Sequence, residues 1–207
     1  MPLQVGELID PVQVLLDDFM RVRTPTPMFL RHVSRAQQWV ALRYRLLRHT
    51  FALPLQATIP LYDVATMLPR LVSILSVVHA TGVPLWPVPL TSLRYKDLAW
   101  IVTPGAPSVF YRIGWNFLGV QPVPQVDEVL HVTAHMLPLR IPTLTTLLEI
   151  PEAYAPQVVK VTAGLLAIVR EHQPQGAQWI QEGLDSLPPA PNVVALRRGS
   201  PVGNVGP

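Results

Sequence analysis

The chain has 207 residues, 49% hydrophobic and only 14% charged, with a mean hydropathy of +0.31 and a net charge of +3. Ordinary soluble domains carry about 25% charged residues, so this chain is expected to cover apolar surface by oligomeric burial as well as in a core. The absence of cysteine excludes disulfides, thiolate catalysis and cysteine-based zinc sites, and no apolar run approaches the roughly 20 residues of a membrane-spanning helix.

Val5, Leu8, Val12, Leu15 and Phe19 recur at spacings of three and four, which predicts an amphipathic first helix. Asp10 as N-cap, Pro11 at the first helical position and Gln13 in the capping-box slot predict a kink or restart inside it. The Arg-Thr-Pro-Thr-Pro linker at 23–27 breaks the chain. Phe29, Val33, Ala36, Val40, Tyr44 and Leu47 then form the clearest helical stripe in the sequence.

Between residues 51 and 100, Pro54, Pro60, Pro69, Pro84, Pro87 and Pro89 interrupt an apolar stretch, which predicts short strands and turns and argues against a long helix. The Val- and Ile-rich LVSILSVVHA, starting at Leu71, reads as a buried strand. Residues 105–139 write two strands and a turn: FYRI runs to Gly114, LGV closes on Pro122 and Pro124, and VLHVTAHM alternates with period two. Pro151, Glu152 and Pro156 open a helix whose stripe is Val158, Val161, Leu165 and Ile168. A second piece at 175–186, with Ala177, Ile180 and Leu184, follows the break at Gln173-Pro174. Beyond Leu187 the sequence has no period and is rich in Pro and Gly, a tail.

The expected fold is α+β: a helical bundle formed by the N- and C-terminal helices, an inserted β-rich domain, and an extended C-terminal tail. The expected boundaries are 1–53 for the N-terminal helices, 54–150 for the β-rich domain, 151–186 for the C-terminal helices and 187–207 for the tail.

Chemistry-bearing residues are sparse. His131 and His135, with Glu128 nearby, would form a metal face on a helix, but their alternating context places them on a strand, about 13 Å apart by strand rise and too far for one ion. Asp17 and Asp18 are adjacent and do not share a helix face. The Gly105-Ala-Pro-Ser sequence lacks the Lys-Ser/Thr of a phosphate loop. With no nucleophile–base pair and no acidic metal cluster, no enzymatic activity, metal or cofactor is expected.

The charge pattern is more informative. Seven arginines, at 21, 23, 31, 35, 43, 45 and 48, lie between Phe19 and Tyr62 with no Asp or Glu among them. They sit on or beside the second helix, on faces its apolar stripe leaves free. A nucleic-acid surface is one reading; an acidic protein partner is the favoured one, because Trp39 and Tyr44 fall on or next to the core stripe and not among the arginines as stacking platforms.

Taken in order, the acidic-ended first helix, the Gln-containing second helix, the strand slot at Tyr62-Asp63-Val64, the hairpin Gly105, Pro107, Phe110, Tyr111, Gly114, the turn Pro122, Pro124 and the C-terminal helix resemble the head-to-tail adaptor (connector, neck) proteins of tailed bacteriophages. The resemblance covers nearly the whole chain. It implies a structural virion protein in the neck, a ring of twelve copies joining the portal protein to tail nozzle or tail-tube proteins, and a channel through which genomic DNA passes without specific binding. Candidate portal-binding residues are Val193, Val194, Leu196, Arg197 and Arg198 in the tail and Arg31, Arg35 and Arg45 near the second helix. The alternatives are a tail-completion protein at the tail tube and, from a different class, a monomeric module whose β-rich domain binds an apolar ligand.

Overall fold

The computed structural model describes residues 3–16, 24–96, 100 and 102–186, with the backbone alone at 94–96. It is a mixed α+β protein, with six α-helices and a curled seven-stranded sheet among the described residues. Contacts divide the chain into two compact units, Met1–Ala36 with Ile141–Pro207, and Gln37–Arg140. The division falls inside helix α2 (Thr26–Tyr44). No helix among the described residues is long and apolar enough to cross a membrane.

In the first unit, a 3-10 turn at Val5–Leu8 runs directly into α1 (Ile9–Leu15). The expected cap at Asp10 does not form. The helix starts two residues earlier, at Ile9 with Leu8 as N-cap and no side-chain cap, and Pro11 sits in the first turn, where a backbone N–H has no intrahelical partner to lose. The N-terminal stretch is fastened to residues 144–148 by backbone hydrogen bonds from Val5 to Thr146, Gly6 to Leu144 and Leu148 to Leu3, at 3.0, 2.8 and 3.0 Å.

Helix α5 (Ala155–Val169) carries the predicted stripe, yet Val159, Thr162, Ala163 and Leu166 off that stripe are buried as well. A helix apolar on all sides is an interior helix. It packs most extensively on α6 (Gln173–Asp185) and also on α1. The α5–α6 contact keeps Ile180 of the expected Ala177–Ile180–Leu184 stripe, which lies against Gly164, but Ala177 is exposed and the buried residues of α6 are Gly176 and Gly183. A Cβ at Gly164 would lie 2.6 Å from the Gly176 carbonyl oxygen, one at Gly176 would lie 2.6 Å from that of Gly164, and one at Gly183 would lie 2.8 Å from Val161 Cγ2. Bare glycine backbones are what let the two helices approach so closely.

The second unit is built on the sheet β1 (Arg48–Leu55), β2 (Leu61–Asp63), β3 (Leu71–His79), β4 (Pro84–Pro87), β5 (Val109–Ile113), β6 (Phe117–Gln121) and β7 (Glu128–Met136), in the order β1-β7-β3-β4-β5-β6-β2. Strands β3, β5, β6 and β7 fall on the segments read as strands. The sequence reading ran the second helix to Leu47 and kept residues 48–53 with the helices; α2 instead stops at Tyr44 and β1 begins at Arg48. Two short helices also appear where strands and turns were expected, α3 (Val64–Met67) and α4 (Leu90–Lys96). Asp63 starts α3 by accepting the backbone N–H groups of Ala65 and Thr66, both at 3.1 Å, and the Thr66 hydroxyl at 2.6 Å.

One cluster gathers residues from every strand: Leu53 and Leu55, Tyr62, Val77, Leu85, Phe110, Leu118 and Val120, Leu130 and Val132. Tyr62 closes it, its hydroxyl donating to the Ile59 carbonyl at 2.7 Å and accepting the Gln56 N–H at 3.1 Å. On the other face of β5, Tyr111 stacks edge-on against Trp100 at 5.1 Å in a smaller cluster with Leu93. Gly119, opposite Tyr111 in the ladder, is what lets that ring lie across β6, since a Cβ there would fall 2.1 Å from the ring. Gly114, at φ +60°, makes the β5–β6 turn.

Glycine-to-alanine changes in a helix gain about 1 kcal/mol of propensity, but forcing a methyl against backbone costs about 1–3 kcal/mol. Gly164→Ala and Gly176→Ala are therefore each expected to lower the urea midpoint of unfolding, whereas Gln175→Ala on the exposed side of α6 leaves it nearly unchanged.

Candidate interaction surface

Helix α2 buries Phe29, Val33, Ala36 and Val40 along one stripe. Positions 31 and 35, four apart, share a different face, and Arg31, Arg35 and Arg43 are all exposed. The helix ends in a Schellman motif: the Leu46 N–H reaches the Ala41 carbonyl at 3.1 Å, the Arg45 N–H reaches that of Leu42 at 3.3 Å, and Arg45 takes φ +52°. An arginine thus occupies the left-handed position that glycine normally fills, with its side chain exposed. Helix α5 ends the same way, with Glu171 at φ +68° and His172 bonded to Ala167.

Beyond Arg45 the chain enters β1, where Arg48 stands in register with His135 of β7. His131 and His135 do lie on a strand, on the face opposite Leu130, Val132 and Ala134. Their surroundings differ: His131 is exposed, and His135 is only 6% exposed with Nδ1 lacking a partner. Burial pushes the His135 imidazole below its ordinary pKa; a hydrogen bond to the Leu47 carbonyl opposes this, while the charges of Arg48 and Arg45 add to it. The structure therefore joins Arg45, Arg48 and His135 in one basic corner, a grouping that spacing alone did not give.

Glu128 does not join His131 or His135. It pairs with His79 Nε2 at 2.7 Å, and His79 Nδ1 contacts the Thr81 hydroxyl at 2.7 Å. Among the described residues no group of three or more His, Cys, Asp or Glu is placed to hold a metal ion. The tail candidates Val193, Val194, Leu196, Arg197 and Arg198 lie outside the described residues, as do Asp17, Asp18, Arg21 and Arg23.

One surface feature was not singled out in the sequence. The β5–β6 turn presents Trp115, 76% exposed, flanked by exposed Ile113 and Phe117, with the Arg112 guanidinium 6.0 Å from the Trp115 ring centre. The readable signal was an indole beside Gly114 in a turn too tight to bury it. A cavity of about 160 Å³ in the first unit is lined by Ile9, Val12, Leu16, Phe29, Leu144 and Leu166, with Gln13, Thr24 and Thr26 also at its walls.

Among the described residues the chain displays exposed arginines on α2, a basic corner and apolar protrusions. Residues 3–201 match the family model described as SU10 adaptor protein. The chain belongs to the SU10 adaptor family. A search of curated proteins returns no significant match. Membership makes this a phage structural adaptor protein, of a family that is not typically enzymatic and that associates with phage portal and tail proteins in the virion.

Two measurements probe the basic corner of this adaptor. Arg45→Gly relieves a left-handed non-glycine residue, which costs about 1 kcal/mol, and is expected to raise the unfolding free energy by roughly that amount. His135 has a folded pKa below its unfolded value of about 6.5. The unfolded chain therefore takes up the proton first: stability from this site is complete above that pH and declines as pH falls through it. His135→Gln should flatten the acid-side fall in unfolding free energy that sets in as pH drops through about 6.5.

Proposed function

We propose that this adaptor forms a ring beneath the portal, joins the DNA-filled head to the tail, and contributes part of the channel through which the genome leaves. The observation that carries this reading is the family match, which extends over sequence from both compact units. A low charged fraction and exposed apolar side chains such as Trp86 and Trp115 support burial between subunits. Twelve copies is the number the adaptor resemblance implies.

In this proposal the N- and C-terminal helices form the portal-proximal bundle, with the β-rich segment inserted between them and directed toward tail nozzle or tail-tube proteins. Exposed Arg31, Arg35 and Arg45 contact the portal or a neighbouring subunit, where guanidinium forks suit carboxylates. Genomic DNA passes without specific binding. The tail at 187–207, fully extended at about 3.3 Å per residue, reaches roughly 70 Å. Val193, Val194 and Leu196 then dock on the portal while Arg197 and Arg198 engage an acidic groove.

Mixing the purified adaptor with its portal protein is expected to yield a multi-subunit complex by native mass measurement. Truncation after Leu187 should leave the melting temperature unchanged while sharply weakening attachment. Absence of any complex with the full chain argues against the ring reading; undiminished attachment of the truncated chain argues against the clamp alone.

A further inference from the structure

We infer that the outer edge of strand β1 is a receiving site for an extended segment of another protein, added as a further strand with its acidic end beside Arg48. The inference concerns the second unit alone and stands independently of the portal and ring reading.

The sheet begins at β1 and ends at β2, with no ladder between these two edges. Edge β2 is only three residues long, and a helix follows it at once, so it offers little to pair with. Edge β1 is eight residues long, pairs with β7 throughout, and has β7 as its one extensive neighbour among the described elements. In an antiparallel pair, alternate residues direct both N–H and C=O away from the partner strand. Among the described residues, 48–55 make no backbone hydrogen bond beyond their own ladder. A row of open donors and acceptors at strand spacing is complementary to another strand and to little else.

Natural proteins blunt such an edge with charge or proline, and β1 carries one of each, at its two ends. Arg48 lies at the start, and Pro54, which has no N–H to offer, lies near the finish. Residues 49–53 between them are unguarded, and His49, Thr50 and Ala52 are exposed.

Charge gives the partner's direction. Residues 26–62 contain no Asp or Glu, and exposed Arg45 and Arg48 stand at the first end of the edge, both close enough to act on His135. At the far end, Asp127 accepts the Ala57 N–H at 2.8 Å, while Glu128, opposite Leu55, is paired with His79 on the β3 side. The edge is therefore basic at one end and acidic at the other. An incoming strand is held in one orientation by placing its carboxylates against Arg48, a contact that salt weakens because it is exposed.

Hydrogen–deuterium exchange on the full chain, resolved to single amides, tests this with synthetic peptides of alternating Thr and Val that end in two Glu or in two Lys. In the free protein, alternate amides between His49 and Leu53 should exchange fast. The Glu-ended peptide should slow them by roughly tenfold or more, the Lys-ended peptide should need roughly tenfold higher concentration, and a backbone N-methylated Glu-ended peptide should protect nothing. Arg48→Glu should reverse the charge preference. Slow exchange in the free protein at all these amides would mean the edge is already covered and overturns the proposal. Protection that grows with protein concentration without peptide overturns it in favour of a second copy of this chain. No protection by the Glu-ended peptide, or equal protection by both peptides, overturns the site or its stated chemistry respectively.

Discussion

The left-handed turn at Arg45 is the local constraint on which the second unit depends. By ending α2 at Tyr44 and turning the backbone within two residues, it fixes where β1 begins. That start sets the register of Arg48 on His135 and, seven residues on, of Leu55 on Glu128. A one-residue slip would turn Leu53 and Leu55 out of the strand-lined cluster and bring Pro54 in. The same turn delivers Arg45 and Arg48 to the corner where His135 is buried, and leaves the far side of β1 unpaired by any described residue. Fold, charge pattern and available edge are thus consequences of one helix stop.

The first unit rests on a different kind of constraint. Helix α5 is buried nearly all round, including the polar side chains of Gln157 and Thr162, whose Oε1 and Oγ1 have no partner among the described groups. Such a helix gives little latitude to what surrounds it. α6 meets the demand with glycine, trading side-chain burial for close contact where Gly176 faces Gly164 of α5 and Gly183 faces Val161. Close-packed interiors tolerate added volume poorly, so these glycines serve packing more than conformational freedom.

For an adaptor, this division of labour makes physical sense. The interior is built by helix packing and by a filled sheet cluster, and the described surface carries arginines on α2, an indole at the tip of the β5–β6 turn, and a strand edge with which no described residue pairs. An assembly protein binds through surface complementarity and not through a prepared reactive centre, which accounts for the poverty of chemical motifs in its sequence.

What the sequence determined by itself was whatever depends on neighbours in the chain. Periodicity of 3.6 located α2 and α5, period two located β7, and Gly114 with its flanking FYRI and LGV located the β5–β6 hairpin, because each signal is read within a few residues. The ordered series of such pieces was enough to point to the adaptor family. What only tertiary structure decided was every pairing across distance: Thr50 bonds Thr133 across 83 residues and His79 reaches Glu128 across 49, and no local pattern encodes which strand lies beside which. The stop of α2 was missed because the apolar stripe continues to Leu47, past the left-handed turn at an arginine that does not announce it. On α6 the apolar pattern found Ile180 but not Gly176 and Gly183, because glycine has no hydrophobicity to register and its value there exists only once α5 lies against it.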